Sequence, residues 1–326
     1  MTQENLFCAL RAAFPDDVDA VAIETADTPD TLYYTWRDLE RGTAMLANLI
    51  DSLALPPESR IAVQTEKSVE ALMLYLAVLR AGHIYLPLNT AYQAGEVEYF
   101  IGNAEPAVVV CTEKNVRWVS DLAARLGTPY VFTLEDDRSG SLLDAAAPHS
   151  DRHTPALRAA DDLAAILYTS GTTGRSKGAM LTHGNLLSNA QVLKDVWGWQ
   201  PGDVLLHALP IFHVHGLFVA SHGALLNGSR MIWFSRFDPR AVAARLPEAT
   251  VFMGVPTLYV RLLAEPGFTK DTCRSMRLFI SGSAPLLIET FREFRQRTGH
   301  TILERYGMSE TAMLTSNPYR PEDQRR

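Results

Sequence analysis

Leu163-Ala164-Ala165-Ile166-Leu167-Tyr168-Thr169-Ser170-Gly171-Thr172-Thr173-Gly174-Arg175-Ser176-Lys177-Gly178 decides the reading of this 326-residue chain. The apolar run Leu163 to Tyr168 predicts a buried strand, so the loop after it leaves the end of a sheet, where α/β proteins bind ligands. Gly171, Gly174 and Gly178 let the backbone bend and bring its N–H groups close to an anion. The Ser and Thr hydroxyls add donors, and Lys177 adds a mobile positive charge. A phosphate-handling loop follows from that chemistry. A Walker A loop requires Gly-Lys-Ser/Thr, whereas Ser176 precedes this lysine and Gly178 follows it, which removes the Mg-binding hydroxyl. A flexible linker is the other reading, and linkers are seldom bounded by a buried strand and a second apolar stretch.

Outward from the loop, short β-branched runs alternate with helix-compatible stretches: Arg60 to Thr65, Val69 to Ala81, Ile84 to Leu88, Glu96 to Gly102 and Ala107 to Cys111. The pattern resumes with strand-like runs at Val204 to Leu209, Met231 to Phe234, Val251 to Val255, Leu278 to Ser281 and Ile302 to Tyr306. Helical spans lie between them at Pro239 to Leu246, Pro256 to Ala264 and Leu286 to Thr298. This alternation predicts an α/β fold with parallel-rich sheets covered by helices. Pro256 suits a helix's first turn, where its missing N–H costs nothing. The stretch Glu135 to Asp162 has little periodicity and reads as a surface connection, giving one α/β subdomain over 1–160 and a second over 161–326.

A 47% hydrophobic share is enough for a substantial core. The net charge of -7, without a long Lys/Arg block, excludes general nucleic-acid binding, so phosphate recognition has to be local. Cys8, Cys111 and Cys273 are odd in number and have no CxxC or His partners, which argues against a disulfide framework or zinc site. No apolar run reaches the roughly 18 residues needed to span a bilayer, and acidic residues come early; the expectation is a cytoplasmic protein.

Tyr168 to Gly178 resembles the signature of the adenylate-forming superfamily, which includes acyl-CoA synthetases. A second signature, Tyr306-Gly307-Met308-Ser309-Glu310-Thr311, stands in the order that family would have it. Leu209-Pro210-Ile211-Phe212-His213 is similar to the segment walling the acyl pocket, and Ser281-Gly282-Ser283-Ala284-Pro285 to the strand end facing adenine. Thr65 to Glu70, Tyr85 to Tyr92 and Glu304 to Pro318 look like malonyl-CoA synthetases in particular. The resemblance implies the large N-terminal domain of the adenylate-forming fold, in truncated form. It also implies a further strand region with a ribose-binding aspartate, a hinge and a mobile C-terminal domain that have no counterpart here, so the chain is expected to be impaired in the full reaction.

The implied activity is an ATP-dependent malonate–CoA ligase using Mg2+ and coenzyme A, with malonate or methylmalonate as the acid. The carboxylate attacks the α-phosphorus of ATP, pyrophosphate leaves, and the thiol of CoA then displaces AMP from the acyl adenylate. The protein aligns reactants and neutralises charge, with no covalent nucleophile. By resemblance, Thr169, Ser170, Gly171, Thr172, Thr173, Gly174 and Lys177 hold the phosphates, and Glu310 holds Mg2+ through hard oxygen. Gly282, Ser283, Ala284, Glu304, Tyr306, Gly307, Met308 and Thr311 bind the nucleotide, with Tyr306 stacked on adenine. His213 sits beside the acyl carboxylate. His213 and His215 are spaced as metal ligands could be, yet no third ligand cluster lies near, which favours pocket lining.

A diacid brings a second charge that is costly to bury unpaired. Arg261, just over one turn beyond Pro256 in an apolar segment, matches the arginine that engages the distal carboxylate, and a guanidinium can do so with two parallel hydrogen bonds. An exposed helix arginine with a buried stem is the alternative. Ser281 and Ser283 can add hydroxyl donors, and Val214 and Met313 limit the α-carbon substituent. Arg305 is a weaker candidate, since pairing with Glu304 or another structural acid would occupy it. Two competing readings are a fatty or aryl acid in place of malonate, which a buried cation would reject, and a non-catalytic nucleotide-binding remnant.

Overall fold

Ile61-Ala62-Val63 and Val108-Val109-Val110-Cys111 carry apolar bulk on both faces of the pleat, and each becomes a strand buried on both sides, as in a parallel sheet covered by helices. The computed structural model describes residues 3–169, 175–321, 324 and 325. Its strands in chain order are β1 (Val21–Thr25), β2 (Tyr33–Thr35), β3 (Arg60–Gln64), β4 (Ile84–Pro87), β5 (Val108–Cys111), β6 (Tyr130–Thr133) and β7 (Leu163–Thr169). There follow β8 (Lys177–Thr182), β9 (Val204–His207), β10 (Arg230–Trp233), β11 (Val251–Gly254), β12 (Leu278–Ser281), β13 (Ile302–Met308) and β14 (Ala312–Ser316). One sheet has the order β6-β5-β3-β4-β7-β8 and the other β14-β13-β12-β11-β9-β10-β1-β2. All neighbours are parallel except β7/β8, β1/β2 and β13/β14. The expected α/β class with parallel-rich sheets is what forms.

The chain divides into two compact units, residues 1–12, 37–187 and 211–213 against residues 13–36, 188–210 and 214–326. This corrects the division expected at 160/161. β7 pairs with β4, and β8 with β7, so both complete the first sheet, while β1 joins the second through parallel pairing with β10. Residues 135–162, expected to connect the units, lie within the first one and include the helix Ser141–Ala146.

In the first unit the helix Val69–Arg80 is buried along its whole length, and Ser68 caps it by accepting from the Ala71 amide at 3.1 Å. Arg80 is only 1% exposed, which its acceptors make tolerable: Glu40 Oε1 at 3.0 Å, Thr43 Oγ1 at 3.1 Å and the His153 carbonyl at 2.6 Å. In the second unit, Phe252, Tyr259, Phe279 and Phe294 interlock edge to face around the sheet, with Phe279 and Phe294 at 4.9 Å and Tyr259 and Phe294 at 5.5 Å. Tyr259 belongs to the helix Pro256–Leu263, which opens on Pro256 as expected. Its hydroxyl donates to the Ile280 carbonyl at 2.6 Å, tying that helix to β12. No helix among the described residues is long and apolar enough to cross a membrane.

Candidate active site

In the first unit, β7 ends at Thr169 and β8 begins at Lys177, so the phosphate-loop sequence joins two antiparallel neighbours. A Walker loop opens a helix instead, and this connection adds a structural reason to exclude it. Ser170, Gly171, Thr172, Thr173 and Gly174 lie outside the described residues. Thr169 and Lys177 pair across the ladder, and Lys177 is exposed. The descending side of the loop is held by Tyr99, whose hydroxyl donates to the Ser176 carbonyl at 2.8 Å and whose ring carries the Arg175 guanidinium at 5.7 Å. Gly178 is needed sterically, since a Cβ there would lie 2.9 Å from the Ile166 side chain. His213 is exposed at its edge, packs against the Phe212 ring at 4.6 Å, and desolvation holds its ring below the ordinary histidine pKa.

The second unit brings most of the other expected residues together. The signature Tyr306 to Thr311 is a β-hairpin: β13 carries Tyr306, Gly307 and Met308, residues 309–311 turn, and β14 returns antiparallel. Glu310 and Thr311 are exposed in that turn, and Tyr306 presents 57% of its surface. Gly307 has no room for a side chain, because a Cβ would overlap the Ala312 carbonyl. Met313 on β14 is buried, and its backbone is clamped by Asn189, which donates to its carbonyl at 2.8 Å and accepts from its amide at 3.3 Å. Val214 and His215 are buried at the start of a π-helical segment, His215–Ser221.

At the ends of β12 and β13 the hairpin opens onto a cleft of about 570 Å³, lined by Ser283, Ala284, Pro285, Glu304 to Gly307 and Thr315 to Asn317. Thr315, Ser316 and Asn317 were not singled out from sequence; their signal was a run of polar side chains just past the second signature. Glu304 accepts from the Leu286 amide at 3.1 Å, so its carboxylate is committed to the neighbouring loop. Ser281 is fully buried, and its hydroxyl finds no hydrogen-bond partner among the described residues.

Arg261, expected to meet a distal carboxylate, does not line this cleft. It is exposed, with its guanidinium 4.8 Å from the Phe237 ring and donating to the Phe237 carbonyl at 3.5 Å. The helix Pro256–Leu263 turns Tyr259, Leu262 and Leu263 inward, which leaves position 261 outside. Arg305 behaves oppositely. It is 4% exposed and lines the cleft, and no carboxylate among the described residues lies within 4 Å of it. Nη2 donates to Ser283 Oγ at 3.4 Å, and the buried Nε finds no partner among the described residues. Desolvation pushes the guanidinium down to about 10. The pairing with Glu304 or another structural acid that would have occupied Arg305 does not form among the described residues; Glu304 is its strand neighbour, and successive side chains on a strand point to opposite faces.

A family model described as AMP-binding enzyme matches residues 11–326. The chain belongs to the AMP-binding enzyme family. Among its relatives in that family, the mouse (Mus musculus) mitochondrial malonate–CoA ligase ACSF3 is 34% identical over 283 residues, covering 80% of this chain and 47% of that protein. Crystal structures of MatB from Rhodopseudomonas palustris, apo and ATP-bound, are 52% and 53% identical with TM-scores of 0.93, covering 98% of this chain and 62% of those chains. A malonyl-CoA ligase solved with methylmalonyl-CoA and AMP is 29% identical, with a TM-score of 0.78 over 96% of this chain and 63% of that one. The chain therefore spans about half the length of the curated relatives it matches, and its fold corresponds to the N-terminal domain of the adenylate-forming family.

Proposed function

We propose that this chain is the ATP- and acid-binding portion of a malonate–CoA ligase, converting malonate, ATP and CoA to malonyl-CoA, AMP and pyrophosphate. The observation that carries the reading is Arg305: a buried cation with no carboxylate partner among the described residues, in the lining of a cleft at the strand ends. Such a group is costly to keep unless a ligand supplies the missing charge. A diacid does so with the carboxylate that takes no part in the reaction. The ATP-bound and methylmalonyl-CoA-bound relatives support the same substrates.

In this reading Arg305 takes over the role expected of Arg261, and the hydroxyls of Ser281 and Ser283 complete the distal carboxylate's shell. Tyr306, exposed beside the cleft, stacks on adenine with Ser283 and Ala284 along its edge. Thr169, Lys177 and the loop between them hold the phosphate tail, and His213, kept neutral by desolvation, orients the reacting carboxylate without adding a competing charge. The exposed Glu310 carboxylate, with the Thr311 hydroxyl beside it, is a hard-oxygen set suited to Mg2+, which would supply charge neutralisation at the phosphates.

The test is isotope exchange between pyrophosphate and ATP, run with and without malonate, alongside calorimetric titration of malonate. Exchange and binding that depend on malonate, with a malonate affinity that falls at least about a hundredfold in Arg305→Met, are expected. Exchange driven by aryl or long-chain acids, or nucleotide binding with no exchange and no malonate uptake, would reject the reading.

A further inference from the structure

The position beside Arg305 is a glycine for a reason that its backbone does not supply. Gly282 lies outside the left-handed region, so its conformation is open to any residue. The constraint is steric: a Cβ at 282 would stand 2.6 Å from both Cζ and Nε of Arg305 and 2.7 Å from Nη1. Strand register creates this contact. Ser281, the last residue of β12, is the parallel partner of Glu304 of β13, and one residue further along each chain Gly282 lies alongside Arg305.

The following residue carries the strain. Ser283 has φ +68°, a left-handed conformation that costs a non-glycine residue energy, and its hydroxyl receives the Arg305 Nη2 hydrogen bond. Glycine would be the easy choice at 283 and a side chain the easy choice at 282. The chain does the reverse, and both departures serve the same guanidinium.

We infer that Gly282 is a positioning residue for the acid site: its bare backbone is a shelf on which the Arg305 guanidinium lies beside the Ser283 hydroxyl, and that placement sets the preference for acids with a second carboxylate. The inference rests on the proposal that this cleft takes the acid. It moves Gly282 from lining the adenine, as the family resemblance implied, to holding the group that selects the substrate. Because the far end of an arginine is the movable partner in the clash, a methyl at 282 displaces the cation rather than the strand. The fold survives while selectivity is lost.

The experiment is a double-mutant cycle on the whole chain, using Gly282→Ala, Arg305→Met and the combination, with malonate and ATP titrated separately by calorimetry. Gly282→Ala should weaken malonate at least about tenfold while ATP stays within about twofold, and in the Arg305→Met background it should change malonate affinity no further. A crystal structure of Gly282→Ala should find the guanidinium off the strand-end turn, a readout that needs no acid. Unchanged malonate affinity in Gly282→Ala, a malonate loss of equal size with and without Arg305, or an unmoved guanidinium overturns the inference. Should wild type take no malonate, the function reading fails on that result while the crystal structure still decides the shelf. Should Gly282→Ala not fold, recovery of the wild-type melting temperature in the double variant supports the contact, and continued unfolding there overturns it.

Discussion

Replacing Arg305 by methionine should leave a more stable protein that holds malonate far more weakly. Burial holds this guanidinium at about 10, two to three tenfold steps below an ordinary arginine, which corresponds to a penalty of about 3 kcal/mol for carrying the charge in the folded state. The folded protein binds this proton less tightly than the unfolded chain does. The penalty is therefore complete at neutral pH, and stability recovers only as the pH rises above about 10. Methionine removes the charge and keeps much of the length; it forfeits the 3.4 Å bond to Ser283, worth about 1 kcal/mol. The net gain is about 2 kcal/mol, or a melting midpoint raised by roughly 4 to 8 °C. Malonate would lose two charge-assisted hydrogen bonds, together about 3 to 5 kcal/mol, hence on the order of a hundredfold to several thousandfold in affinity. Calorimetric unfolding at pH 7 and titration with malonate measure the two effects, and ATP titration controls for damage to the nucleotide half. A lowered midpoint, or malonate affinity within about threefold of wild type, would refute the argument that Arg305 is a strained cation awaiting a ligand.

Arg261→Ala, on the exposed side of its helix, should alter malonate affinity by less than about threefold and cost under about 1 kcal/mol from the lost ring contact, checked by the same titration and by urea unfolding. Gly307→Ala forces a methyl against the Ala312 backbone; a loss of more than about 2 kcal/mol in urea unfolding is expected, and wild-type stability would contradict the tight hairpin. Arg80→Met strips Glu40, Thr43 and the His153 carbonyl of their shared donor and should cost about 3 kcal/mol in denaturant unfolding. His183 is buried, accepts from the Leu6 amide at 3.1 Å, and is pushed down to about 4 by desolvation. The unfolded chain thus takes up this proton first, and stability falls as the pH drops from about 6.5 towards 4. His183→Gln should flatten that part of the stability profile, as followed by urea midpoints at successive pH values.

The alternation of β-branched and helical runs was enough to read an α/β fold, because strands such as Val108–Cys111 and helices such as Val69–Arg80 are buried on all sides and advertise it in continuous apolar sequence. The edges were less legible. β2 is short and β14 half exposed, and both carry little periodic signal, while the assignment of residues 13–36 to the second unit depends on a parallel pairing of β1 with β10 that lies some two hundred residues away. The first signature pointed to phosphate chemistry by residue type, since phosphates call for glycine, hydroxyl and lysine, whereas the second was legible only through its family resemblance. Which arginine is buried could not be read that way. Arg261 stands in an apolar stretch and Arg305 beside Glu304, so sequence favoured the wrong one for burial; helix phase turned Arg261 to solvent, and strand register laid Arg305 against Gly282. Burial belongs to the three-dimensional neighbourhood, and here it decided which of two identical charges is left in need of a ligand.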